Sequence, residues 1–131
     1  MIKWPITYTD FEGNEETEEF RFHLSKSELL EMNLSQSGGM DKMLQRIINT
    51  KDTQKIVEVF KDIILRSYGE LSDDGRRFVK VKDGHRLSDD FAQTPAYDEL
   101  FMELASDEKK AADFINGIIP KSVADEVAAR A

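Results

Sequence analysis

Residues Leu87–Pro120 read LSDDFAQTPAYDELFMELASDEKKAADFINGIIP, a stretch that carries its own punctuation. Thr94 before Pro95 has the form of a helix N-cap with proline at the first helical position, where a missing N–H costs nothing. Tyr97, Leu100, Phe101 and Leu104 then fall at i, i+3, i+4 and i+7, the apolar stripe of an amphipathic helix. Ser106, Asp107 and Glu108 form a second start signal. Ala111, Phe114, Ile115 and Ile118 repeat the spacing until Gly117 loosens the helix and Pro120 closes it. The stretch reads as a helical hairpin over 91–119. Its aromatic face suits either a core or a groove for a partner helix, because both use the same residue types. The other face is acidic, with Asp98, Glu99 and Glu103; Glu99 and Glu103 at i, i+4 cost an isolated helix about 0.2–0.5 kcal/mol.

Upstream, Ile2, Trp4, Ile6 and Tyr8 alternate with polar or smaller residues, and Phe20, Phe22 and Leu24 do so again. With the turn-rich Asp10–Glu16 between them, they predict a β-hairpin of Ile2–Thr9 against Thr17–Leu24. A lone hairpin is marginal in water, so its apolar face needs helices over it or another copy at its edges. Ser25 with Glu28 is a capping box opening a helix to about Asn33. After a break at Ser35–Gly39, Met40, Met43, Leu44, Ile47 and Ile48 keep helical spacing. Asp52 or Thr53 caps a core helix over 53–68, with Gly69 as its C′ residue. Val57, Phe60, Ile63, Ile64 and Leu65 spread widely around that helix, which implies burial on more than one side. From 70 to 90 the pattern fails, and Phe78–Val81 is too short to classify.

The expected fold class is α+β, mostly α: an N-terminal β-hairpin (1–25) followed by a bundle of about five to six helices. The expected domain is single, 1–120, comprising that hairpin, helices over 26–69, a connector over 70–90 and the helical hairpin. Residues 121–131 are expected to be a frayed tail.

Composition narrows function. The chain of 131 residues has a net charge of −8, which argues against nucleic acid bound through its phosphates. Lacking cysteine, it has no thiol nucleophile and no zinc–thiolate site. No signal peptide and no apolar run long enough for a membrane is seen, so a cytoplasmic location is expected. Asp73, Asp74, Asp83, His85, Asp89 and Asp90 lack the order of a calcium loop, and His23 and His85 stand in no metal-ligand spacing. His23 reads as exposed on the polar side of a strand. With no phosphate cradle or nucleophile elbow either, neither enzyme nor cofactor nor catalytic residue is expected.

Three blocks carry a family resemblance: Ser72–Lys80 (SDDGRRFVK), Asp90–Asp107 (DFAQTPAYDELFMELASD) and Ala111–Pro120 (AADFINGIIP). They resemble the tail assembly chaperones of long-tailed, siphovirus-type phages, and are most similar to those of actinobacterial phages. The resemblance spans Tyr68–Pro120. It implies a non-enzymatic protein of the host cell cytoplasm. Such chaperones bind the long, hydrophobic, helical tape measure protein, keep it soluble while the tail tube polymerises, and are absent from the mature virion. It also implies a longer frameshifted form of the same chaperone as a partner and contact with tail tube subunits, while self-association is expected from the edges of the hairpin. Ending soon after Pro120, this chain resembles the short product. Aromatic and methionine side chains dominate interface energetics, so Phe91, Tyr97, Phe101, Met102, Phe114 and Ile118 are the candidate partner-binding residues. The alternative is a small acidic phage-encoded regulator or nucleic-acid mimic, although its carboxylates are interspersed with basic residues.

Overall fold

A computed structural model of the protein describes residues 1–33 and 53–119. The expected helix over Met40–Ile48 and the tail 121–131 lie outside the described residues.

The alternating residues of the N-terminus form strands β1 (Ile2–Thr9) and β2 (Glu15–Phe22), antiparallel from Ile2 opposite Phe22 to Thr9 opposite Glu15. Asp10 shapes the turn: its carboxylate accepts from the backbone N–H groups of Glu12 and Asn14, and Gly13 takes a φ of 91°. Ser25 and Glu28 make the expected capping box at the start of α1 (Lys26–Asn33). The Glu28 N–H donates to Ser25 Oγ at 3.1 Å, and the Ser25 N–H donates to Glu28 Oε1 at 3.0 Å.

The core helix is α2 (Thr53–Ser67), with Phe60, Ile63 and Ile64 buried; its burial does not extend all round, since Val57 is 40% exposed. It stops short of the expected end at Tyr68. Ser67, fully buried, donates its hydroxyl back to the Ile63 carbonyl at 2.7 Å, while its own carbonyl accepts the His23 N–H at 2.7 Å. The chain passes directly into β3 (Tyr68–Leu71). Gly69 is therefore a strand residue, not a helix cap: it pairs with Arg21, and a Cβ there would stand 2.6 Å from the Phe78 ring.

Residues 70–90, expected as a connector, contain β4 (Phe78–Val79), β5 (Val81–Lys82) and β6 (His85–Arg86), and α3 (Leu87–Phe91) begins within them. Strands of two residues leave no alternation to read. Their turns are set by Gly75, Asp83 and Gly84, all at positive φ. The hairpin is consequently the first half of a four-stranded sheet in the order β1-β2-β3-β4, with β5-β6 a separate ribbon.

Helices α4 (Pro95–Ser106) and α5 (Glu108–Ile118) are the expected helical hairpin. Five helices fall among the described residues, and α4 packs on β1 as well as on α2 and α5, so the sheet is part of the core. Phe22, fully buried, is ringed by Phe114, Tyr68 and Phe91 at centroid distances of 5.0, 5.7 and 5.9 Å. Tyr68 and Phe91 stack at 4.1 Å, and Trp4 meets Phe114 edge-on at 5.3 Å. Gly117 does not loosen α5, which continues through Ile118. A Cβ at Gly117 would run into the Ile2 side chain, so the glycine lets α5 press against β1.

Two substitutions test this packing in urea unfolding. Ile63→Ala removes a side chain only 1% exposed and should cost about 2–5 kcal/mol. Gly117→Ala, which on an open helix gains about 1 kcal/mol, should here destabilise; a gain would mean that α5 does not bear on Ile2.

Candidate partner-binding surface

The candidate surface is built on α4. Thr94 caps it as its sequence predicts: Oγ1 accepts from the Tyr97 N–H at 3.3 Å and donates to the Phe91 carbonyl at 2.7 Å, with Pro95 at the first position. Asp107 caps α5, its carboxylate accepting from the Lys109 and Lys110 N–H groups at 3.0 and 3.2 Å. Two abutting capped helices fix which side of α4 faces inward. Ala96, Leu100 and Leu104 are buried, while Tyr97 and Phe101 flank them half-buried.

The six predicted contact residues divide by depth. Phe91, Phe114 and Ile118 are at most 2% exposed and pack in the core. Tyr97 and Phe101 continue outward from them, with centroids 5.9 Å between Phe91 and Tyr97 and 6.1 Å between Tyr97 and Phe101. This row of rings runs from core to surface. Met102, 62% exposed, follows Phe101 on the solvent side of α4, one turn from the exposed Asp98 and Glu99. Glu103, expected on the solvated acidic face, is half-buried. It accepts the Trp4 indole N–H at 3.2 Å and stands 3.9 Å from Lys110 Nζ, tying α4 to β1 and α5.

Other exposed apolar residues had no periodicity to announce them: Phe11 at the hairpin turn, 86% exposed, and Val81 in the ribbon, 60% exposed. Among the described residues no group of three His, Asp or Glu side chains could hold a metal ion. His85 pairs with Asp90 at 2.9 Å, and that hydrogen bond raises the imidazole pKa above its ordinary value. His23, expected to be exposed, is half-buried against Phe78, with centroids 5.7 Å apart. Its Nδ1 has no hydrogen-bond partner among the described residues, and burial lowers its pKa.

A family model described as phage tail assembly chaperone matches residues 1–131. The chain belongs to that family. Neither a curated protein nor a solved structure matches it. Membership implies interaction with tail proteins in general, and among the described residues of this chaperone no helix is long and apolar enough to cross a membrane.

The chaperone also has a crevice of about 220 Å3 between α1, α2 and the ribbon, lined in part by Leu24, Glu28, Arg66, Tyr68, Lys80 and Arg86. Its central lysine is already engaged. Lys80 Nζ donates to Glu28 Oε2 at 2.5 Å and to the Arg66 carbonyl at 2.7 Å, pinning α1 and the end of α2 to the ribbon. Burial pushes the Glu28 carboxyl pKa up, but the hydrogen bonds from Lys80 and Ser25 outweigh it and hold the pKa below its ordinary 4.5. A depressed folded-state pKa stabilises above the unfolded value and is lost as pH falls through the folded one. Wild-type stability relative to Glu28→Gln should therefore be constant at neutral pH and shrink below about pH 4.5. Parallel pH profiles in chemical denaturation would show that the Lys80 pair contributes nothing.

Proposed function

We propose that this chaperone binds the tape measure protein in the host cytoplasm and keeps it soluble while the tail tube polymerises, then stays out of the mature virion. The family match over residues 1–131 carries this reading. The proposed working unit is a single domain over 1–120, acting non-enzymatically, with a longer frameshifted form of the chain, tail tube subunits and further copies of itself as partners.

The proposed contact surface is the face of 91–119 that Met102 marks. Support comes from chemistry. An exposed thioether adapts to irregular apolar surfaces, and Asp98 and Glu99 beside it suit a helix that mixes apolar with basic residues. Tyr97 and Phe101 would extend the contact as a half-buried aromatic rim, with Phe91, Phe114 and Ile118 supporting them from beneath.

Met102→Asp is the sharpest probe, because the side chain is 62% exposed and replacing it should leave the thermal melt unchanged. In pull-downs from co-expression with the tape measure protein, it should weaken binding by about 1–3 kcal/mol, as loss of an interface anchor does. Normal binding by a folded Met102→Asp variant would place the surface elsewhere.

A further inference from the structure

Charge is segregated along the chain. Residues 10–19 hold six carboxylates and no cation, whereas residues 76–86 hold five cations and one carboxylate. The acidic group occupies the hairpin turn and the adjoining part of β2, where Glu12, Glu15, Glu16, Glu18 and Glu19 are exposed. The basic group occupies the turn before β4 and the β5-β6 ribbon, where Arg76, Arg77, Lys82 and Arg86 are exposed. Among the described residues the ion pairs are Asp62–Arg66, Glu28–Lys80, Asp90–His85 and Glu103–Lys110, so within residues 10–19 and 76–86 only Lys80 and His85 are ion-paired. The field at the acidic end acts on Tyr8. A hydrogen bond to Glu18, then burial and the charges of Glu18, Glu16 and Asp10, push its phenol up to about 12.

Among the described residues the acidic end also has unpaired backbone. β3 pairs with β2 at Arg21 and Phe22, so among the described residues Glu15–Phe20 present a strand edge on the side away from β1. Beside it opens a notch of about 340 Å3, lined in part by Glu18, Glu19, Tyr68, Glu70 and Leu71. A free strand edge is a template for pairing with another chain. Here its side chains admit only a segment of opposite charge.

We propose that the acidic hairpin end of one copy docks on the basic β4–β6 region of a second copy, head to tail. A net charge of −8 makes indiscriminate contact between copies repulsive, leaving an unlike-end approach as the favourable orientation. Because the two ends differ, each docked copy still offers one end of each sign, and the contact propagates into a ring or an open helix. This gives a geometry to the self-association proposed above and rests on it. The contact is exposed and therefore salt-sensitive, the screening length being about 8 Å at physiological ionic strength.

Sedimentation velocity of the full chain tests it with two triple variants. One carries Glu15→Lys, Glu16→Lys and Glu19→Lys; the other carries Arg76→Glu, Arg77→Glu and Lys82→Glu. All six positions are exposed, so circular dichroism should show both variants folded. The wild type should be larger in low salt than in high salt, and each variant alone should associate about tenfold or more weakly. An equimolar mixture should recover the association, since each variant supplies the sign the other lacks. A wild type monomeric even in low salt overturns both the self-association and its geometry. A wild type that associates, with variants that associate equally or a mixture that does not recover, overturns the head-to-tail geometry alone.

Discussion

The fold depends on covering Phe22. It stands at the end of β2, opposite Ile2 of β1, and its ring is enclosed by side chains from three other elements: Tyr68 from β3, Phe91 from α3 and Phe114 from α5. Those aromatic contacts add roughly 0.5–1.5 kcal/mol each to the burial of area. They also fix relative position. The backbone does the same around them, the Leu24 N–H donating to the Ile118 carbonyl and the His23 N–H to the Ser67 carbonyl, each at 2.7 Å. The exit of the hairpin thereby holds the ends of two helices.

Against that arrangement, what the sequence disclosed follows from the range of the interactions. The hairpin, the capping box at Ser25 and Glu28, the Thr94–Pro95 helix start and the α4–α5 hairpin were all legible, because each is signalled by caps, turns or spacing within one continuous segment. The extension of the sheet was not. Two-residue strands have no period, and the bridges Arg21–Gly69 and Phe22–Tyr68 join segments remote in sequence. The two glycines show the same limit. Gly69 and Gly117 each resemble a helix stop, yet both are required by a neighbour from elsewhere in the chain, Phe78 in one case and Ile2 in the other.

The candidate surface was legible in part. Helical spacing put Met102 off the apolar stripe, and the structure places it at 62% exposure. Spacing could not grade the aromatic residues by depth, since Tyr97 and Phe101 share a stripe with fully buried Leu100 and Leu104. Nor could it find Val81 or Phe11, single apolar residues in short irregular segments. The charge blocks are visible as composition, but that one lies on the hairpin and the other on the β4 turn and the separate ribbon is a fact of topology.

The contact between Gly117 and Ile2 bears on how the chain comes off the ribosome. The second residue of the protein and nearly the last described one pack together, and Trp4 is bonded to Glu103, 99 positions away. The hairpin emerges first and forms locally, yet the contacts of its apolar face with Glu103 and Phe114 wait until α4 and α5 have been synthesised. Closing such distant contacts makes for high contact order and slow folding. Until they close, Trp4 lacks its partners and Phe22 is only partly covered, so this chaperone is itself aggregation-prone until α5 leaves the exit tunnel.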